Sequence, residues 1–88
     1  SLAEGGAMLF DFGDAALRGF WLKDMLFPID IIWIEGGRVV GFVENAAPDD
    51  SPARTVYYSP VPVRFVLEVP AGTVKKYNFA GGDGVGVR

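Results

Sequence analysis

The sequence predicts a mainly β fold, a compact antiparallel β-barrel or sandwich with one short helix near the C-terminus. Three observations carry this reading. Apolar residues alternate with a period of two in several short runs, Gly, Pro, Asn and Asp punctuate those runs, and only one stretch has helical spacing. Met8 to Phe12 opens the series, with Met8, Phe10 and Phe12 on one face and Leu9 and Asp11 on the other. Gly13 to Ala16 reads as a turn or connector. Arg18 to Asp24 alternates again, Phe20 and Leu22 opposing Trp21 and Lys23, until Met25 to Pro28 interrupts it. Ile29 to Glu35 is β-branched and apolar on both faces, as a strand covered on both sides must be. Gly36-Gly37 supplies the positive φ of a two-residue hairpin, and Arg38 to Asn45 returns. Ala46 to Arg54 is a polar loop rich in Pro, Asp and Ser. Thr55 to Tyr58 reads as a short edge strand before Pro60 and Pro62, and Arg64 to Val69 as a last alternating strand in which Glu68 faces solvent. Ala71 to Tyr77 gives about two helical turns, with Lys75 and Lys76 at the C-terminal end and Asn78 as a left-handed terminator. Gly81 to Val87 is a glycine-spaced terminal strand or tail.

The chain has 88 residues, no Cys, no His and a net charge of -3. The missing residue types remove disulfides, thiolate nucleophiles, Ser-His-Asp relays and ordinary zinc sites, so no cofactor or metal is expected, and enzymatic activity would have to rest on carboxylates, Lys, Arg or Tyr. An acidic chain with a pI near 4.7 is a poor partner for nucleic acid. Half of the chain is apolar and 14% is aromatic, enough to build a core without covalent staples. Met25 to Ile34, the most apolar stretch, contains Pro28 and Asp30 and is far shorter than the roughly 20 residues of a membrane span. The start at Ser1 shows neither an initiator Met nor a signal-like segment, which suggests a processed or excised piece.

The run Phe20-Trp21-Leu22-Lys23-Asp24-Met25-Leu26-Phe27-Pro28-Ile29-Asp30-Ile31-Ile32-Trp33-Ile34 resembles the signature of the bacterial and archaeal family called domain of unknown function 192. Val39-Val40 leading to Glu44-Asn45 and Pro48, Arg64 to Glu68 with Ala71-Gly72-Thr73, and Gly82-Asp83-Gly84-Val85 resemble its later segments in order. The resemblance implies a small, mainly β domain, commonly exported, hence a periplasmic or extracellular envelope location, with no established biochemical activity. It also implies that residues 1–88 form a single domain lacking the strand and short helix with which the family domain usually begins. An exposed sheet edge left by those elements would allow a homodimer. Leu22 stands where the family often has Met, a change that conserves volume. Cysteines that members often carry between Pro48 and Tyr57 are absent, so no redox role attaches to that loop.

Trp21, Lys23, Asp30, Glu44 and Asn45 form the candidate ligand-binding set, because they are the polar and amphipathic members of an otherwise apolar signature. Asp30 shares a strand face with Ile32 and Ile34, and a buried carboxylate needs a cation, backbone donors or a raised pKa. Lys23 and Arg64 are the available cations, in an ion pair or turn-capping role on one reading and in a site on the other. Trp21 is open to two roles, core packing or the wall of a pocket. Asn45 fits an Asx turn or a ligand contact. Two of Asp24, Asp30, Glu44 and Glu68 could serve glycoside hydrolysis or Ca²⁺ binding if they converged. Gly82 to Gly86 has the spacing of a phosphate loop, but no helix can follow it in this chain. The expected function is a non-enzymatic module that binds a small ligand or an envelope protein, with a carboxylate-dependent hydrolase of an envelope glycan and a structural assembly module as rivals.

Overall fold

A computed structural model describes residues 6–22, 27–47, 55–78, 80–82 and 84. Four strands, β1 (Met8–Ala16), β3 (Ile29–Glu35), β4 (Arg38–Ala46) and β6 (Val63–Pro70), form one antiparallel sheet in the order β1-β6-β3-β4. β2 (Gly19–Trp21) and β5 (Val56–Tyr58) form a separate two-stranded sheet, and α1 (Thr73–Lys76) follows β6. β1 and β4 are edges, so of the two architectures expected the open two-sheet arrangement is present and the closed barrel is not. No helix among the described residues is long and apolar enough to cross a membrane.

β3 is central, as its double-faced apolar sequence predicts, and six of its seven residues are buried. Ile29, Ile31 and Trp33 point to one side, where Leu22, Ala46, Val63 and Val66 complete a core. Phe20 and Tyr57 of the small sheet pack on this core, and the Phe20 ring lies 5.7 Å from the Trp33 indole. Ile32 and Ile34 point to the other side with Val39, Val69 and Val74 of α1. The large sheet is therefore covered by the small sheet on one face and by α1 on part of the other. Gly36 and Gly37 adopt φ of 60° and 72°, the left-handed pair that a two-residue hairpin requires, so β3 passes directly into β4.

Several boundaries differ from expectation. Gly13 to Ala16 is no connector, since β1 continues to Ala16 through a register shift between Asp11 and Ala16, with the Gly13 N–H donating to Asp11 Oδ1 at 2.9 Å. The strand expected over Arg18 to Asp24 is only Gly19 to Trp21 as far as it is described, and residues 23–26 lie outside the described set. Ala46 closes β4 in the core instead of opening the loop, whose residues 48–54 also lie outside. The helix has one turn and not two. Gly72 at φ 92° starts it late, and Asn78 at φ 57° ends it in the left-handed conformation its sequence predicts. Of the terminal glycine-rich segment, Gly84 bridges Arg38, and the Gly82 N–H donates to the Val39 carbonyl at 2.7 Å.

Candidate functional site

Asp30 is fully buried on the face of Ile32 and Ile34, where alternation places it. Of the two expected cations, the structure describes only Arg64. Lys23 lies outside the described residues, and Arg64 is engaged elsewhere, gripping Asp11 with Nε to Oδ1 at 2.8 Å and Nη2 to Oδ2 at 3.0 Å. Asp30 Oδ1 instead accepts the Asn45 N–H and Oδ2 accepts the Val74 N–H, each at 2.9 Å. Both donors need an acceptor for a local reason. The β3–β4 register shifts between Ile29 and Ile31, so Glu44 and Asn45 bulge out of the ladder, and Asn45 sits at φ 54°. α1 begins behind Gly72, which has no side chain to cap its first amides, and its first turn holds no acidic residue. One carboxyl on the central strand satisfies a bulge amide and a helix amide together. Of the partners open to Asp30, backbone donors are the ones the described residues supply.

Of the five candidate residues, Lys23 lies outside the described set, and the other four do not share one site. Asp30 and Asn45 share a hydrogen bond, and Glu44 stands exposed beside them. Asn45 acts through its backbone N–H and its left-handed conformation. Trp21 lies elsewhere. Phe20 and Tyr57 of the small sheet face the core, so Trp21 occupies the outward face of β2, on the side of the large sheet opposite to Asp30. It is half-buried there. Val56 stands directly opposite Trp21, and Tyr58, 71% exposed, stands opposite Gly19. A Cβ at Gly19 would lie 2.9 Å from Tyr58 Cε1, so only glycine lets the tyrosine ring lie down over the strand. The result is an outward face made of one indole, one phenol and one valine.

Glu68 is the second correction. Alternation opposes it to Phe65, Leu67 and Val69, and it was expected in solvent, yet it is only 6% exposed. β6 lies between β1 and β3, and Glu68 is paired with Met8 on one side and Ile31 on the other, facing the inter-sheet core. Burial pushes its carboxyl above the usual range, by more than the positive charge of the N-terminus pulls it down. Sequence reasoning missed it because the period of two shows which residues share a face but not whether that face is covered. The three described carboxylates among the four considered for hydrolysis or Ca²⁺ therefore separate. Asp30 and Glu68 are sealed on opposite faces, Glu44 is exposed at a bulge, and Asp24 lies outside the described residues. Among the described residues no three acidic groups converge.

These features define a class: a small two-sheet β domain, stitched by a buried carboxyl, that carries an aromatic outer face. The chain belongs to the family called domain of unknown function 192, described as an uncharacterized ACR, whose model matches residues 1–87. Two solved structures are similar. One, from Sinorhizobium meliloti 1021, was provisionally described as a transcription regulator; it is 36% identical with a TM-score of 0.82, over 96% of this chain and 64% of that one. The other, a protein of unknown function from Novosphingobium aromaticivorans DSM 12444, is 27% identical with a TM-score of 0.84, over 99% of this chain and 61% of that one. The chain thus spans less than two thirds of the length of either. No curated protein matches it.

Proposed function

We propose that this chain is a non-enzymatic binding module of the cell envelope that takes a partner protein or ligand on the outward face of β2 and β5. The observation that carries this reading is the juxtaposition of Trp21, Val56 and the largely exposed Tyr58 on one small face. Rigid aromatic side chains with an apolar body and a polar tip supply much of the contact energy of recognition surfaces, and they lose little conformational entropy when covered. The envelope location rests on the resemblance to a family whose members are commonly exported. A hydrolase gains no support from the geometry, because two of its four candidate carboxylates are buried on opposite sides of the sheet. The regulator description of the Sinorhizobium protein is not carried over to nucleic-acid binding. The net charge is -3, and Arg18 and Arg64 are each paired with an aspartate.

The test places a photo-crosslinking phenylalanine analogue at position 58 in living cells, with the same analogue at Lys75 as control, and follows tryptophan emission as soluble envelope-glycan fragments are added. A discrete adduct specific to position 58, or a saturating emission change that Trp21→Phe abolishes, supports the reading. Release of reducing ends from the fragments, or neither adduct nor emission change, overturns it. An assembly role has one observation of its own: β1 is an edge strand on which Leu9 and Phe12 are exposed. Light scattering that shows only monomer at millimolar concentration removes that second reading.

A further inference from the structure

Where β6 ends at Pro70, the chain turns through Ala71 and Gly72 into α1, and a concavity of ≈ 470 Å³ opens beside the turn. That volume is within the range of small-molecule sites, roughly 300–1,000 Å³. Its wall is mostly small and apolar, with Gly6, Ala7 and Pro70 meeting Thr73, Lys76 and Tyr77. The Thr73 hydroxyl already donates to the Pro70 carbonyl at 2.6 Å, so among the described lining residues Lys76 is the charged group left to meet a ligand. Its ammonium lies 5.4 Å from the centroid of the Tyr77 ring, and Tyr77 is 63% exposed. Among the described residues no carboxylate lines the concavity, although acidic residues outnumber basic ones in the chain. The turn that forms the wall is held from beneath, because Asp30 in the central strand accepts the N–H of Val74. A cation and an aromatic ring on a fixed turn, over a wall whose described residues are mostly apolar, are complementary to one kind of molecule.

We infer that this concavity binds a small organic anion with a flat apolar body, its carboxylate or phosphate on Lys76 and its body against Tyr77 and Pro70. The site is separate from the aromatic face of β2 and β5, which lies on the other side of the large sheet, so either can fail without the other. The attraction is charge-assisted and partly exposed, so affinity should be modest and should fall with salt.

Benzoate and phenyl phosphate are the probes, with benzamide as the neutral isostere, and amide chemical shifts of the ¹⁵N-labelled full chain are the readout. The expected result is a saturable perturbation by at least one anion, confined to residues 69–77 and neighbouring Gly6 and Ala7. Lys76→Gln should weaken binding about tenfold, as loss of a hydrogen bond to a charged group does. Tyr77→Ala should weaken it several-fold, whereas Lys75→Gln and Tyr58→Ala should leave it within about twofold, and benzamide should bind at least about tenfold less tightly. No saturation by either anion up to tens of millimolar overturns the inference. So does equal loss from Lys75→Gln and Lys76→Gln, which would reveal diffuse attraction, or equal binding of benzamide. Both Lys→Gln changes are at exposed positions, and unchanged spectra elsewhere show that the variants are folded.

Discussion

Asp30 and Glu68 sit in adjacent strands, on opposite faces of one sheet, and both are withdrawn from water, yet the fold treats them differently. Asp30 meets two backbone amides that have no other natural acceptor, one freed by the β4 bulge and one by an uncapped helix start. Glu68 is paired with Met8 and Ile31, and its burial outweighs the pull of the positive N-terminus on its carboxyl. The contrast teaches that burial alone does not give an acid its role. A carboxyl that answers the backbone's unmet donors is part of the architecture, whereas one enclosed because its strand became central is a liability that pH can expose.

The comparison can be broken most directly at Asp30. Asp30→Ala removes an acceptor from two amides at once, and each such bond to a carboxylate contributes about 1.5–3 kcal/mol, so a net loss of about 3 kcal/mol is expected once the relief of desolvation is subtracted. For a domain of this size that corresponds to a fall in Tm of about 15 °C. Asp30→Asn should be nearly as harmful, since its amide group can accept from one donor but must point its NH₂ at the other. Amide exchange locates the damage, with Val74 and Asn45 losing protection before the rest of the sheet. A Tm within 3 or so degrees of wild type for both variants would show that water replaces the carboxyl, and the contrast with Glu68 would disappear.

Glu68 predicts the opposite sign. Its pKa is raised in the folded state, so the folded chain holds a proton that the unfolded chain gives up, and stability falls as pH climbs from the unfolded carboxyl value of about 4.3 through the folded one. Below that window both states are protonated and the penalty is absent. Glu68→Gln should flatten this part of the pH profile, and Glu68→Met should raise stability at neutral pH by about 1 kcal/mol, the order expected when a desolvated carboxylate gives way to an apolar side chain of similar length. Thermal melts at pH 4 and pH 7 check both. Destabilisation by Glu68→Met at pH 7 would mean that the carboxylate is satisfied after all, and the two acids would then belong to one category.

Much of this fold is legible in the sequence. The double-faced apolar run from Ile29 identifies the central strand, Gly36-Gly37 the hairpin, and Asn78 the helix stop, because each depends on local sterics or on a period that needs no partner. What depends on partners is not legible. Nothing in Arg64 to Val69 says that β1 and β3 will flank it and enclose Glu68. Two clues did point to the role of Asp30: Gly72, a helix start with no capping side chain, and Asn45, a residue that tolerates left-handed backbone at a strand end. The candidate set was assembled along one signature, whereas the fold sends Trp21 and Asp30 to opposite sides of a sheet. The concavity beside Tyr77 escaped because its wall joins the start of the described chain to residues about seventy positions later.

Asp11 sharpens the comparison from the exposed side. A side-chain cation holds it, since Arg64 grips both of its oxygens, and it has what Asp30 has, a backbone amide, from Gly13. Arg64 holds the Asp11 carboxyl below its usual range, with the Gly13 N–H adding to the effect, so the pair's contribution is present above the unfolded value of about 3.9 and is lost as pH falls below it. Both partners remain well solvated, and exposed pairs contribute little and are screened by salt. The double cycle of Asp11→Asn and Arg64→Gln should therefore give the smallest coupling of the three tests, and 0.5 M salt should erase it. Arg64 also donates its backbone N–H to Glu35, a bond that survives Arg64→Gln, so the cycle isolates the side-chain pair. A coupling as large as the loss from Asp30→Ala would mean that solvent exposure does not set the strength of these contacts, and the ordering Asp30, Glu68, Asp11 would have to be abandoned.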